Sequence, residues 1–415
     1  MKRFSKGGKG SLKLRVHMNN HLPLDNVRVL ELGTLIAGPF TGRLLGDFGA
    51  EVIKIEPPDK ADPMRNWGQQ KDGLGLQWPI QSRNKKSITL NLREPKGQEI
   101  FKQLVKDADI IIENFRPGTM ERWGLGYETL KDINPGIIMV RTSGYGQTGP
   151  YKDRAGFGAI GEAMGGLRYV TGFPDRPPSR IGVSIGDSLA ALFATIGCLT
   201  ALYEKTRSGQ GQIVDTAIYE AVFSIMESTI PDFVLADYVR ERMGNILPGI
   251  APSNIYLTKD DTYVVIGANA DGVFKRLCEA MGQPELAENE KYQTHLARGR
   301  NMKELDLLIE QWTKSQTAKE TLNILAQKGV PSGLIYSAKE MLEDPQYKAR
   351  EMIVEVEHEA LGKVPMPGIV PKLSRTPGAI QKPGGIKMGE HNEEIYRELG
   401  LTEEEIADLK EANII

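Results

Sequence analysis

Short, almost continuously apolar runs alternate with helix-like stretches over the first third of the chain. The runs fall at residues 27–32 (VRVLEL), 51–56 (EVIKIE), 87–92 (SITLNL), 109–113 (DIIIE) and 136–141 (GIIMVR). Between them lie a small-residue helical stretch at 38–49 and an amphipathic one at 94–107. Strands covered on both faces read as unbroken apolar runs, so the alternation predicts a parallel sheet flanked by helices. Residues 25–145 form one half of a doubly wound α/β domain, and the large domain extends to about residue 215.

Beyond residue 143 the pattern changes. A Gly/Pro-rich connection over 143–185, carrying Pro174, Pro177 and Pro178, leads to an apolar helix beginning near Asp187. A structureless stretch of that length is more often functional than idle. A second helix is expected over 216–239. Residues 256–268 alternate as a hairpin with Asp260 and Asp261 at its turn. Amphipathic helices follow at 272–281, 301–312 and 318–328, the last with a capping box of Thr317 and Glu320 and a stop at Gly329. These segments predict a smaller α+β domain over 225–330. Residues 331–415 then return to the large domain through a charged C-terminal helix at 402–413. Residues 1–24 read as an extension without structure, and translation is expected to begin at Met18.

Composition narrows the function classes. Across 415 residues, 52 Lys and Arg balance 54 Asp and Glu for a net charge of −2. No global basic field is available for nucleic acid or an anionic membrane, so any anion must be bound locally. Cys198 and Cys278 make no disulfide framework and belong to no zinc-like cluster, which predicts a cytoplasmic, metal-free protein. The longest apolar helix candidate, 189–203, is interrupted by Thr195, Gly197 and Thr200 and reads as a core helix, not a membrane span. The N-terminal residues lack the apolar stretch of a secretion signal.

Four constellations carry candidate chemistry. Strand, glycine turn, helix and Glu56 imitate a dinucleotide site, but Gly33, Gly38, Gly42 and Gly46 are spaced for helix packing and do not form G-x-G-x-x-G. Residues 182–186 spell G-x-S-x-G around Ser184, with His295, His358 and His391 downstream. A nucleophile elbow needs a buried strand before it, and Pro177 and Pro178 preclude one. Asp187 stands at the start of an apolar helix among small residues. It is either an N-cap or a nucleophile for an activated acyl group. Finally, a basic turn at 82–87 and the pair Arg116 and Arg122 offer two cationic loops to a polyanion.

Taken together, the segments at 28–56, 83–92 (RNKKSITLNL), 113–118 (ENFRPG), 182–187 (GVSIGD), 329–333 (GVPSG), 344–346 and 389–401 resemble the class III CoA-transferases, the CaiB/BaiF family that includes formyl-CoA transferase. The similarity runs from about Leu24 to the end. It implies a nucleotide-binding-like parallel sheet domain plus a smaller α+β domain in an interlocked homodimer. Coenzyme A is then a co-substrate, with no tightly bound cofactor and no metal. Asp187 falls on the family's catalytic aspartate, which passes CoA between acids through an anhydride and an aspartyl-CoA thioester.

The resemblance places CoA contacts on Ile36, Ala37, Pro57, Ser82, Arg83, Asn84, Lys85, Asn114, Phe115, Arg116, Arg122, Ala155, Gly156, Phe157 and Gly158. Arg83, Lys85 and Arg122 are expected to hold phosphates, and Arg65, Arg168 and Arg180 are candidate partners for an acceptor carboxylate. Ile36 and Pro57 stand where formyl-CoA transferase has a glutamine and an arginine, which argues against formyl-CoA and oxalate as the pair. The segment 244–249 replaces that enzyme's glycine tetrad. An acyl-CoA racemase or hydrolase is the alternative activity. The racemase places a proton-transferring His and Asp where Phe157 and Gly158 stand here, and neither side chain can move a proton.

Overall fold

A computed structural model of the chain describes residues 21–385 and 387–415. The start at Met18 and residues 1–20 of the expected extension lie outside the described residues. Residues 21–24, assigned to the extension, belong to the fold: Leu24 packs on the core and its N–H donates to the Phe48 carbonyl at 3.0 Å.

Six strands form the central sheet: β1 (Arg28–Glu31), β2 (Glu51–Glu56), β3 (Lys85–Thr89), β4 (Ile110–Glu113), β5 (Ile138–Ser143) and β6 (Ile213–Ala217). They lie in the order β3-β2-β1-β4-β5-β6, and every pairing is parallel. Alternate residues face opposite sides, so Val29, Ile110 and Ile138 enter one core while Leu30, Ile111 and Met139 enter the other. Helix α1 (Ala37–Asp47) covers the first side, and α2 (Pro95–Lys106) covers the second with the C-terminal residues. Chain order reverses between β1 and β4, which opens a crevice beyond their carboxyl ends.

The connection expected to be irregular over 143–185 contains the helix α3 (Gly158–Met164). Helix α4 (Ile185–Ser208) starts two residues before Asp187 and runs 24 residues, long and apolar enough by length and composition to cross a membrane. One face is nevertheless buried: Ala194, Cys198 and Ala201 pack in the core of the sheet, and Ala190 packs against Ile218 and Ala221. The single helix expected over 216–239 resolves into β6, α5 (Ile218–Phe223) and α6 (Thr229–Ala236). β6 escapes the sequence pattern because, as an edge strand with polar Asp215 and Thr216, it shows no apolar run.

In the smaller region β7 (Ser253–Leu257) and β8 (Tyr263–Gly267) form the expected hairpin. A third strand, β9 (Ser332–Leu334), pairs with β8, so this sheet reaches past residue 330. Helices α7 (Asp271–Ala280), α8 (Met302–Thr313) and α9 (Ala318–Gln327) cover it, and α9 carries the capping box of Thr317 and Glu320. The chain then returns to β3 through α10 (Asn392–Glu398) and α11 (Glu403–Glu411). Asn392 bonds Thr89 on β3, and the Asn91 N–H donates to the Ile414 carbonyl at 2.8 Å.

Candidate active site

The loop leaving β1 is held from below by buried charge. Lys54 on β2 donates to the Gly33 carbonyl at 2.5 Å and to Asp62 Oδ2 at 2.7 Å. Asp62 in turn accepts the Leu35 N–H at 3.1 Å. Leu35 has φ of 64°, a strained value for a side chain with a Cβ, and Asp62 stabilises that turn. Across the crevice Asn114 clamps the same loop, accepting from the Thr34 N–H at 2.9 Å and donating to its carbonyl at 2.8 Å. The glycines pack as their spacing implied: a Cβ on Gly33 would lie 3.1 Å from the Gly38 Cα, and one on Gly42 would strike Glu31. Glu56 is not available to a ribose, because Arg65 binds it with two bonds of 2.9 and 2.6 Å.

A cavity of about 440 Å³ opens at the crevice. Ile36, Ala37, Asn114, Phe115, Arg116, Ala155, Gly156, Phe157, Gly158 and Asp187 all line it, gathering most of the expected contacts from four separate segments. Asp187 occupies the first turn of α4, whose N-cap is Ser184, so it is not the cap. Among the described residues its carboxylate has no hydrogen-bond partner, and a helix N-terminus favours its negative charge. Burial, reinforced by the nearby carboxylate of Glu162 and opposed by Arg180, pushes its pKa up to about 6. Glu162 is itself buried, with Oε2 3.2 Å from Arg168 and Oε1 unpartnered. Gly158 makes room for the nucleophile candidate, since a Cβ there would stand 2.8 Å from the Asp187 Cγ and closer still to Oδ2.

A second cavity of about 270 Å³ shares Thr34 and Phe115 with the first and continues along the carboxyl edge towards β3. Pro57 lines it with Lys60, Leu90, Asn91, Leu92, Arg93 and Trp123. A third, of about 800 Å³, meets the Asp187 cavity at Ile36, Trp67, Arg180 and Ser184.

Ser82, Arg83, Asn84 and Lys85 line none of these three cavities. Ser82 to Asn84 precede β3 and Lys85 opens it, so all four lie towards the amino end of the sheet, whereas the crevice is at the carboxyl end. Arg83 is fully buried and binds Asp47 through bonds of 2.8 and 2.5 Å. Lys85 is pulled down to about 8 by burial and pairs with Glu31 at 2.7 Å. Ser82 donates to the Trp78 carbonyl, and Asn84 donates to Asp47 and the Ala379 carbonyl. The residues that follow β3, Leu90 to Arg93, line the second cavity. Lys152 and Arg154 also line the Asp187 cavity and were missed inside a segment read as loop. Arg122 is exposed beyond β4, where it donates to Thr119. Of the acceptor candidates, Arg65 is buried against Glu56 and Trp78, and Arg168 pairs with Glu162. Only Arg180 faces the cavity.

No histidine is among the residues lining these three cavities, so Ser184 has no imidazole base beside it. Among the described residues no cluster of His, Cys, Asp and Glu is arranged to hold a metal.

The model of CoA-transferase family III matches residues 24–392. The chain belongs to CoA-transferase family III. It is 58% identical over 395 residues to the succinyl-CoA–D-citramalate CoA-transferase of Chloroflexus aurantiacus, covering 95% of this chain and 98% of that one. The succinyl-CoA–L-malate CoA-transferase beta subunit of the same organism is 41% identical over 399 residues, with 95% and 98% covered. The crystal structure of a CaiB/BaiF family protein from Brucella suis superposes with a TM-score of 0.80 at 35% identity, covering 91% of this chain and all of that one. This family III member is therefore a CoA-transferase, with CoA as its co-substrate and a parallel central sheet joined to smaller antiparallel sheets.

Proposed function

We propose that this transferase moves CoA from a dicarboxylic acyl-CoA, of the succinyl-CoA type, to a second dicarboxylic acid, with Asp187 as the covalent nucleophile. The observation that carries the reading is the unbonded Asp187 carboxylate facing a cavity at the sheet's switch point. The relatives named above act between succinyl-CoA and dicarboxylic hydroxy acids, which supports the substrate class.

CoA lies along the carboxyl edge. Its nucleotide end occupies the cavity of Pro57 and Leu90 to Arg93, and its pantetheine arm crosses Thr34 and Phe115 towards Asp187. Lys60, Arg93, Arg116 and Arg122, with Lys152 and Arg154 near the mouth, surround this path with cations for the phosphates. Ile36, Ala37 and residues 155–158 flank the thioester.

Asp187 attacks the donor's thioester carbonyl. A C–O bond forms, the C–S bond breaks, and CoA leaves as its thiolate. The thiolate attacks the aspartyl carbonyl of the resulting anhydride, which releases the donor acid and leaves aspartyl-CoA. The acceptor carboxylate attacks that thioester to give a second anhydride and thiolate. The thiolate then takes the acceptor's acyl carbon, and the Asp187 carboxylate is restored. No net proton is consumed. A carboxylate of pKa about 6 suits this relay, being ionised at neutral pH yet more basic than an exposed aspartate.

The subunit works as an interlocked homodimer. Support comes from a wide apolar surface that a lone chain leaves in water: Leu192, Ile196, Leu199 and Tyr203 form a stripe on the outer face of α4, and α6 presents Ile230, Phe233, Val234 and Leu235. Chromatography of reaction mixtures over a panel of acyl-CoA donors and acids tests the function. CoA transfer between dicarboxylates by the wild type and its loss in Asp187→Ala are expected. Undiminished transfer by Asp187→Ala would overturn the mechanism.

A further inference from the structure

The largest of the three cavities described, next to the Asp187 site, has an unusual charge balance. Two guanidiniums, Arg43 and Arg180, line its wall, and no carboxylate does. Arg180 is exposed and faces both cavities, whereas Arg43 is mostly buried, with 14% of its side chain accessible. Arg43 projects from α1, stacked 4.7 Å over the Phe40 ring. Its Nε is buried without a hydrogen-bond partner.

The nearest carboxylate does not satisfy it. Asp47 Oδ2 lies 3.7 Å from Arg43 Nε, beyond hydrogen-bond reach. Both Asp47 oxygens are already taken by the fork of Arg83, and Asn84 adds a third bond. Two guanidiniums thus share one carboxylate, and the second is left over. Burial and the charge of Arg83 pull Arg43 down to about 10 against the opposing pull of Asp47, so it remains cationic at neutral pH with only a share of one carboxylate at 3.7 Å to balance it. A mostly buried guanidinium that faces a cavity and makes no hydrogen bond through Nε is complementary to a carboxylate, which matches its planar fork.

We propose that Arg43 is the specificity residue of this transferase, binding the distal carboxylate of a dicarboxylic substrate while the reacting carboxyl group lies at Asp187. The inference rests on the proposed CoA transfer between dicarboxylates and adds to it the place where the second charge is read. Ile36 and Ser184 border both cavities, and Ser188, the neighbour of Asp187, lines the one that holds Arg43. A four-carbon diacid therefore has a continuous route between the two sites. Gln77 and Gln81 add neutral polar groups to the wall, which a hydroxyl on the substrate could meet. A monocarboxylic acid of the same length leaves Arg43 desolvated with only its share of Asp47, so discrimination comes from hydrogen-bond donors left unsatisfied.

The test compares succinate with butyrate as acceptors from one acyl-CoA donor, in the wild type, Arg43→Gln and Arg43→Lys. Reading the ratio of kcat/KM for the two acids within each protein cancels any general loss of activity. Removing a charge-assisted contact is expected to cut the succinate preference roughly 100-fold in Arg43→Gln, mainly through KM, with partial recovery in Arg43→Lys. An unchanged ratio in Arg43→Gln would overturn the assignment while leaving CoA transfer at Asp187 intact. A second measurement needs no turnover: succinate alone raises the melting temperature of the Asp187→Ala protein, and the added Arg43→Gln change abolishes that rise. Persistence of the rise would count against Arg43. Failure of the wild type to accept either acid would instead count against the proposed dicarboxylate substrate class, and the melting experiment would still decide the anion site.

Discussion

Replacing Gly158 by alanine is the sharpest perturbation of the site that leaves its chemistry untouched. Gly158 opens α3 with ordinary right-handed backbone, so a methyl group there is not strained and contributes a few tenths of a kcal/mol to about 1 kcal/mol of helix stability. The new Cβ would stand 2.8 Å from the Asp187 Cγ, so the carboxyl group must retreat by about 1 Å to regain ordinary contact. A displacement of that size at a nucleophile costs about 100-fold in rate. Gly158→Ala should therefore melt no lower than the wild type while kcat/KM for CoA transfer falls about 100-fold. Thermal melts and steady-state assays on the same preparation separate the two effects. Wild-type activity in a folded Gly158→Ala protein would show that the position of the Asp187 carboxyl does not govern the reaction.

Three further outcomes follow from the electrostatics. The acid limb of kcat/KM should lie near pH 6, where Asp187 loses its proton, and Glu162→Gln should move the limb to lower pH by removing a like charge; a limb that stays or rises would exclude that coupling. Asp187 is also a stability liability: its folded-state pKa is raised from 3.8 to about 6, so the folded form holds the proton more tightly and stability declines as pH rises through that window. Asp187→Asn should accordingly unfold about 1–3 kcal/mol harder than the wild type at neutral pH but not near pH 4, as urea titrations at the two pH values would show. Asp62→Ala takes from the fully buried Lys54 its nearest carboxylate, leaving Glu31 at 3.5 Å, and releases the Leu35 turn, which should cost about 1–3 kcal/mol in chemical denaturation; a loss under about 0.5 kcal/mol would mean Asp62 does not hold the loop.

Much of this site was legible in the sequence because its parts sit at predictable ends of regular elements. The apolar runs at 27–32 and 109–113 became β1 and β4, and the residues just after them, Ile36, Ala37 and 114–116, line the cavity. Asp187 stood out as a carboxylate opening an apolar helix. What remained hidden depended on tertiary pairing. Arg83 and Lys85 look like a phosphate-binding turn until Asp47 and Glu31 are folded against them. Arg65 likewise reads as free until Glu56 meets it. A strand-end signal was available: residues following an apolar run, not those preceding it, face the crevice of a parallel sheet, which would have pointed to 90–93. Lys152 and Arg154 carried no such signal, because nothing in the Gly/Pro-rich segment shows where its turns are aimed. Arg43 was similarly silent, since its sharing of Asp47 with Arg83 is a property of the packed core.

The central claim is that the Asp187 carboxylate is itself acylated during each turnover. Mixing the enzyme with donor acyl-CoA, quenching with hydroxylamine and mapping the peptides by mass spectrometry tests it most directly. A hydroxamate on Asp187 is expected that depends on the donor and is absent in Gly158→Ala at matched short times. Sustained CoA transfer with no modification at Asp187, or with the label on another side chain, would contradict it.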